Sequence, residues 1–513
     1  MSGQPTMAAI RTAGAVSTVG ELFRARALIQ GSAIAIEYDG RQLSYAKLLE
    51  RVRRLTAALA SLGLQRGDRL ALLSRNRPEY FEVELAAGNL GVITACVNWR
   101  LSPRELAYCV ELVSPKLLIV EPDLAGSLPA VDGRSTIELG EPYERLLQQH
   151  SDRDAPIVAE PEDGLVILYT SGTTGLPKGA VISHRAMVTR SLMFSSELNI
   201  SYRDAFVAWA PMFHMVSTDH GLSTLLRGGT VVVIDGFQIE PLLAAIAKHR
   251  IGWLVLIPGM IDAFIDGFKA QNAQVKGVGL CGAMADLVPP HTLAEVTALL
   301  RAPYVNSFGS TETGLPPATR SLIGIGEVPT RLSKQQSGFC EIKLVDADDQ
   351  EVADGMPGEL ALRSATLFSG YWQAEETNAR DFRGGWFHMG DMFRRNADGT
   401  LDFVDRVKYM IKSGGENIYP AEIERVLMSD ARITEAAVVR VADPRWGEVP
   451  VAFVSSTDKA VTEADLIGLC RRDLATYKCP RRVQFIDFGE FPRSTSGKVQ
   501  RHELEARLTA ACR

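Results

Sequence analysis

The chain predicts an α/β fold in two parts. A large N-terminal domain over residues 1–405 holds packed, mainly parallel sheets flanked by helices, with a β-rich subdomain over about 338–405. A small α/β domain follows over 406–513. Three observations predict this. Up to roughly residue 282, short apolar runs alternate with helix-period stretches, the pattern of a parallel sheet covered on both faces. From about 338, turn-separated strands follow one another directly. From about 409 the alternation of strands and helices resumes over a shorter span.

Residues 43–63 read as a helix. Ser44 can cap it, Leu48, Val52, Leu55, Leu59 and Leu62 share one face, and Gly63 can end it. "RGDRLALLS" (66–74) turns into a short buried strand, and "VITACVNW" (92–99) and "KLLIVE" (116–121) repeat the pattern. Further strands are predicted at "GLVILYT" (164–170), "GGTVVVID" (228–235), "IGWLVLIP" (251–258) and "VKGVGLCG" (275–282). "GFCEIKLVDADDQEVADGMPGELALRS" then reads as a β-meander with one turn at "ADDQ" and another at Pro-Gly. The last unit offers a helix at 420–429, strands at 435–441 and 449–455, a helix at 462–475 and a strand at 482–487. The charged stretch "DRVKYM" (405–410) marks the boundary, and no internal repeat or low-complexity run interrupts the chain.

Composition narrows the function. There are 55 Lys and Arg against 61 Asp and Glu, a net charge of −6. No nucleic acid is expected as the main partner, since polyanion binders carry a basic surplus. A phosphate ligand would need a site that is locally positive. The seven Cys, at 96, 109, 281, 340, 470, 479 and 512, are odd in number and form no CxxC pair. That suits free thiols in a reducing compartment, with neither a disulfide framework nor a zinc site. The N-terminal stretch shows no signal-peptide pattern, and no run approaches the ~18 apolar residues of a membrane span. The expectation is a cytoplasmic protein with no transmembrane segment; a homodimer is left open.

One stretch points to chemistry: "YTSGTTGLPKG" (169–179), which directly follows an apolar strand. Gly172, Gly175 and Gly179 let the backbone approach a ligand, and successive N–H groups of such a loop form an anion nest. Thr170, Ser171, Thr173 and Thr174 add hydroxyls, and Lys178 adds a charge suited to phosphate. A Walker A loop does not fit, because Pro177 stands where its second Gly belongs.

This stretch resembles the phosphate-binding signature of the adenylate-forming (AMP-binding) superfamily, in its acyl-CoA synthetase and fatty- or aryl-acid CoA ligase branch. Further motifs resemble the family's in order. "NSFGSTETG" (306–314) is similar to its [YF]GxTE segment. That implies Phe308 against the adenine, Gly309 and Ser310 beside it, Thr311 at the α-phosphate, and Glu312, with Thr174, at Mg²⁺. "CGAMA" (281–285) stands where many members read Gly-Gly-Ala-Pro, so Gly282 and Ala283 would line an altered adenine wall. "GWFHMGD" (385–391) implies a ribose-binding Asp391, and "FVDRVKYMIKSGGENIYPAEIE" (403–424) implies Arg406 at ribose or phosphate and Lys408 at the hinge, near 405–409. Lys412, Ser413, Gly414, Gly415 and Glu416 would lie along CoA. Tyr409 departs from the Asp that many CoA ligases have there. "FPRSTSGKVQR" (491–501) resembles the C-terminal lysine loop, with Lys498 as the catalytic ammonium. The resemblance runs from the helix at 43–63 to about residue 508.

What the resemblance implies is ATP-dependent activation of a carboxylic acid as acyl-AMP with loss of pyrophosphate, then transfer to CoA. The partners are then the acid, ATP and CoA, and the small domain is mobile. "WAPMFHMVSTDHG" (209–221) looks like the acyl-pocket segment. Trp209, Met212, Met215, Val216 and Ile257 suggest an apolar pocket. His214 is either catalytic or a packing group at the pocket mouth, and Arg227 either a surface residue or a distal contact. Asp219 is not equivalent to the Asp with which amino-acid-activating relatives hold an ammonium. An apolar monocarboxylic acid (fatty, alicyclic or aryl) is the expected substrate. A carrier-protein thiol as acceptor, a luciferase-like oxidation and a non-catalytic nucleotide-binding protein are the alternatives.

Overall fold

The computed structural model describes residues 18–128, 135–153, 157–170, 176–414, 416–493 and 499–510. The chain forms two compact units. One runs to Glu341 and takes in Arg363–Arg380; the other comprises Ile342–Leu362 and Asp381–Arg513.

The first unit is built on parallel sheets, as its apolar runs require. One six-stranded sheet orders Ser135–Glu138, Leu117–Val120, Arg69–Leu73, Ile93–Cys96, Gly164–Thr170 and Lys178–Ser183. All neighbours but the last pair run parallel. A second sheet sets Phe206–Ala208, Val231–Val233 and Ile34–Tyr38 side by side in parallel, with Arg41–Ser44 turning back at the edge. A third runs Ile251–Leu254, Val278–Cys281 and Tyr304–Val305 in parallel and closes with an antiparallel Leu322–Ile323. Helices cover these sheets through apolar faces such as Leu242, Ile246, Phe264, Leu293 and Val296, packed on Leu254 and Cys281.

Local sequence sets the element ends. Helix Tyr45–Ser61 starts where the Ser44 hydroxyl accepts from Lys47 N–H, and Leu48, Val52, Leu55 and Leu59 are buried beneath it. Leu62, expected on that face, is 46% exposed, because the helix stops at Ser61 and the left-handed Gly63 turns the chain away.

Cys340–Val345, Pro357–Ser364, Phe387–Arg395 and Leu401–Arg406, mostly in the second unit, form a four-stranded sheet in chain order; the sequence predicts a meander over the first part of this stretch. The "ADDQ" turn is present: the Asp346 carboxylate accepts from the N–H groups of Asp348 and Gln350. Pro-Gly is not a turn. Pro357 opens a strand, where its missing N–H costs no ladder bond, and the chain reverses just before it at Gly355, φ +84°. The C-terminal sheet orders Glu416–Ile418, Ile411–Ser413, Gly447–Ser456 and Ile433–Asp443, with Arg482–Phe485 parallel to Gly447–Ser456. Its long strands are buried on both faces. Val438 and Val454 meet helices Pro420–Leu427 and Glu463–Asp473, while Val439 and Phe453 meet Arg501–Ala510.

One feature of the first unit's interior has no packing rationale. Glu84, on helix Glu79–Asn89, is fully buried, and one of its carboxylate oxygens has no partner, as is true of the nearby Tyr80 hydroxyl. Burial pushes the Glu84 carboxyl well above the usual range. Glu84→Met, which removes a buried, half-satisfied polar group at similar length, is expected to leave stability unchanged or raise it by about 1 kcal/mol. Urea unfolding checks this; a loss of about 2 kcal/mol or more would mean that the carboxyl is a tether.

Candidate active site

The "YTSGTTGLPKG" stretch is the tip of a hairpin. Gly164–Thr170 runs out and Lys178–Ser183 returns antiparallel, with Thr170 opposite Lys178. Lys178 therefore belongs to a strand, although the sequence reads as a loop up to Gly179. Ser171, Gly172, Thr173, Thr174 and Gly175 lie outside the described residues. The return strand gains a further neighbour: Ser369–Trp372 bonds to it through Ser369 N–H to Val181 O, Val181 N–H to Gly370 O, and Trp372 N–H to Gly179 O, at 2.8–3.0 Å. This pairing puts the Tyr371 ring 4.1 Å below the Lys178 ammonium.

"NSFGSTETG" folds into a second hairpin, Phe308–Ser310 with Gly314–Ala318, so that Thr311 to Thr313 form the turn. Phe308 is buried, and Gly309 is obligatory because a Cβ there would lie 2.1 Å from the Gly314 carbonyl. Glu312 and Thr311 are partly exposed at the tip. The Tyr371 hydroxyl donates to Glu312 Oε1 at 2.8 Å, and Phe368 N–H donates to the Glu312 carbonyl at 2.8 Å. Thr170, Lys178, Tyr371, Thr311 and Glu312, drawn from separate stretches of sequence, thus converge within one unit.

A buried arginine underlies this convergence. Arg190, on helix His184–Glu197, is fully buried and bonds to Asp219 Oδ2 (2.9 Å), the Thr366 carbonyl (3.0 Å) and the Thr311 carbonyl (3.1 Å). Burial raises the Asp219 carboxyl, and Arg190 opposes that rise. Asp219 is therefore committed to an internal ion pair.

The turn at Gly282 and Ala283, expected on the adenine side, is tightly built. Gly282 has φ +69°, and a Cβ there would fall 1.9 Å from the Tyr304 ring. Trp253 Nε1 donates to the Gly282 carbonyl at 2.7 Å, and the Tyr304 hydroxyl to the Ala283 carbonyl at 3.1 Å. Lys334, fully buried, joins this turn to the next motif, with its ammonium 2.6 Å from both Asp286 and Asn306.

The "WAPMFHMVSTDHG" segment is a loop entering helix Met215–Arg227. His214 is the cap: its Nδ1 accepts from Val216 N–H at 3.3 Å. Trp209, Met212 and Met215 are buried, while Val216 and Ile257 are half-buried. Asn76 organises the loop. Its amide donates to the Ala210 and Ile234 carbonyls, and its Oδ1 accepts from Met212 N–H. Arg227 is a last-turn cation of the helix, largely out of water, which lowers it to about 10; its Nη2 donates to Thr224.

In the second unit, Asp391 and Arg406 are cross-strand partners, with Arg406 Nε donating to the buried Asp391 at 3.0 Å. Glu359 braces Gly390 N–H and faces His388 and Arg383. Asp405 accepts from the N–H groups of Arg406 and Ala421, which ties the strand end to helix Pro420–Leu427. Lys408 is exposed in a short 3₁₀ turn, and Lys408 and Arg501 each lie over the Tyr409 ring, at 4.8 and 4.5 Å. Arg501 in turn pairs with Glu424. Lys412, Ser413, Gly414 and Glu416 belong to the hairpin Ile411–Ser413 with Glu416–Ile418, where Gly414 lies against Trp446. Gly415 and Lys498 lie outside the described residues.

Sequence reasoning missed Arg190, Tyr371, Lys334 and Asn76. Only Arg190 left a readable signal: an arginine on the same helical stripe as Ala186, Met187 and Phe194.

Two expectations follow from this geometry. Lys334→Met leaves Asp286 unpaired and should cost about 3 kcal/mol of stability, measured by urea unfolding. Burial and the neighbouring Glu424 raise Asp405 to about 6. The folded chain therefore binds a proton more readily here than the unfolded chain, so this stability is full below about pH 4 and falls as pH rises through 6. Relative to Asp405→Asn, the wild type should lose up to about 3 kcal/mol between those pH values and stay level above them.

Comparison with known proteins agrees with this architecture. Residues 23–372 match the family of AMP-binding enzymes, and residues 422–498 match the AMP-binding enzyme C-terminal domain. The chain is 32% identical to a feruloyl-CoA synthase of Amycolatopsis sp., over 94% of this chain and 97% of the relative. It is 33% identical to an indoleacetate–CoA ligase of Aromatoleum aromaticum (92% and 94% covered), and 31% identical to a fatty acid–[acyl-carrier-protein] ligase of Streptomyces coeruleorubidus (92% and 93%). The structure of o-succinylbenzoate CoA synthetase from Bacillus subtilis, in complex with its acyl-adenylate intermediate, superposes with TM-score 0.81 at 26% identity, covering 94% of this chain and 97% of that one. With both family domains matched in order over most of its length, the chain belongs to the AMP-binding enzymes.

Proposed function

We propose that the chain is an AMP-forming acyl-CoA synthetase that activates an apolar monocarboxylic acid (fatty, alicyclic or aryl), the feruloyl- and indoleacetate-activating relatives favouring the aryl class, and passes the acyl group to CoA. The observation that supports this most is the convergence of Thr170, Lys178, Thr311 and Glu312 on Tyr371. It gathers a cation, hydroxyls and one carboxylate where a nucleotidyl transfer needs them. The acid's carboxylate oxygen attacks the α-phosphorus of ATP, and the bond to the bridging oxygen breaks to release pyrophosphate. The CoA thiol then gives up its proton and its sulfur attacks the acyl carbonyl; the acyl C–O bond of the mixed anhydride breaks, and AMP leaves with that oxygen.

Thr170 to Lys178 hold the departing β- and γ-phosphates. Phe308, Gly309, Ser310, Gly282 and Ala283 hold the adenine, Thr311 the α-phosphate, and Asp391 and Arg406 the ribose. Among the described residues no three His, Cys, Asp or Glu side chains gather as metal ligands. A single carboxylate beside phosphates suits Mg²⁺, which keeps waters and takes few protein ligands. Glu312 and Thr174 would hold the ion, which neutralises phosphate charge when bound. Lys498 stabilises the charge developing at the α-phosphate. Rotation of the small domain about a hinge at 405–409, around Lys408, then brings 412–416 to CoA. His214, as a helix cap, is better suited to shaping the pocket mouth than to proton transfer. The internal pairing of Asp219 leaves no carboxylate on its helix for an amino-acid ammonium, which favours a plain carboxylic acid.

No helix among the described residues is long and apolar enough to cross a membrane, and six Cys are free thiols; a cytoplasmic site of action fits the thiols. A second reading, transfer to a carrier-protein thiol, is favoured by the relative that is a carrier-protein ligase.

ATP–pyrophosphate exchange across aromatic, alicyclic and fatty acids, followed by AMP release with CoA or with carrier protein, tests this. Exchange with an aromatic acid and CoA-dependent AMP release are expected; exchange with no acid in a folded sample would refute the activity. Lys498→Ala should lower exchange by roughly 10²–10³ while sparing thioester formation from a supplied acyl-adenylate.

A further inference from the structure

We propose that Arg190 is the positioning residue of the magnesium-binding turn, a single guanidinium that sets both partners of the Tyr371–Glu312 hydrogen bond. The inference rests on the reading of Glu312 as the Mg²⁺ carboxylate. Arg190 Nη2 donates to the carbonyl of Thr311, the residue before Glu312, at 3.1 Å. Its Nε donates at 3.0 Å to the carbonyl of Thr366, which opens the segment carrying Phe368 and Tyr371. That segment closes back on the turn, through Phe368 N–H to the Glu312 carbonyl and the Tyr371 hydroxyl to Glu312 Oε1, both 2.8 Å. The carboxylate and its phenol donor therefore hang from one planar fork, itself anchored by Asp219 at 2.9 Å.

The side-chain type matters. Guanidinium N–H groups diverge in fixed directions and reach three separated acceptors at once, whereas an ammonium on a flexible stem is a point charge. The fit is close. Gly314, which ends the turn at φ +75°, would place a Cβ 2.9 Å from Arg190 Nε. Glu312 is partly exposed, so its orientation depends on these contacts rather than on packing. A metal taken up by few protein ligands is sensitive to the groups that orient them.

The test uses the full chain and needs no acid substrate: calorimetric titration with ATP, in Mg²⁺ and in chelator. The readout is the factor by which Mg²⁺ tightens ATP binding. Arg190→Lys is expected to reduce that factor about 10-fold or more, with metal-free ATP affinity falling by a clearly smaller factor. Tyr371→Phe should reduce it in the same way, and the double variant no further than the stronger single one, because both act through Glu312. If Arg190→Lys does not fold, the paired variant Arg190→Met/Asp219→Leu leaves no unpaired buried charge and carries the same expectation. Equal weakening with and without Mg²⁺, or effects of Arg190→Lys and Tyr371→Phe that multiply, would overturn the positioning role. An undiminished Mg²⁺ factor in Glu312→Gln, or no factor in the wild type, would instead overturn the reading of Glu312 itself.

Discussion

The fully buried pair of Arg190 and Asp219 is the constraint on which the N-terminal unit's chemistry depends. Removing two charges from water costs on the order of several kcal/mol per ion, and the loss is offset only when the remaining hydrogen-bonding capacity is met inside. Two backbone carbonyls meet it on the guanidinium side, while Asp219 Oδ1 is left without a hydrogen-bond partner; the carbonyls belong to the turn holding Glu312 and to the segment leading to Tyr371. The requirement works in both directions. The ion pair needs those carbonyls, and the carbonyls can occupy their positions only if both segments take the paths they do. The neighbouring helix Met215–Arg227 is fixed by the same bond, through Asp219.

The second unit uses polar groups differently. Its ion pairs string along the chain from Asp391 and Arg406, through the Asp405 contact with helix Pro420–Leu427, to Arg501, Glu424 and Tyr409. The Tyr409 ring is approached by two cations, Lys408 and Arg501. A carboxylate there would pair with one of them directly; an aromatic face holds both more weakly and with less directional demand.

The fold was legible where one physical signal dominates. Strands buried on both faces leave continuous apolar runs, and the runs at 69–73, 93–96, 117–120 and 164–170 pair in parallel as those runs require. Turns were less legible. Pro357-Gly358 has the composition of a turn but sits at a strand start, where proline is tolerated for a different reason. Lys178 read as loop because its strand is specified by pairing to Thr170 and to residues 369–372, partners that a local window does not contain. The motifs could be compared with the family's by resemblance, because each is a contiguous run of residues. Tyr371, Lys334 and Asn76 were not. Each acts on a motif far from it in sequence, and each is an ordinary residue type whose role arises only from where the chain brings it.

The chain passes from the first unit into the second at Glu341, returns at Arg363, and leaves again after Arg380. The acceptor that Arg190 finds at Thr366 is 176 residues away, and the last strand partner of Lys178–Ser183 is made of residues 369–372. On a ribosome, then, the first unit cannot close when its own long stretch has emerged. Its core sheets can assemble early, but the buried guanidinium waits for a segment synthesised only after the chain has begun another unit. Until then an arginine and an aspartate face an interior without their full set of partners, and the sheet edge at Lys178–Ser183 stays open to mispairing. The strand Lys178–Ser183 gains its last partner among the last parts of its unit, so a nascent chain cannot finish this edge before residue 372 has been made.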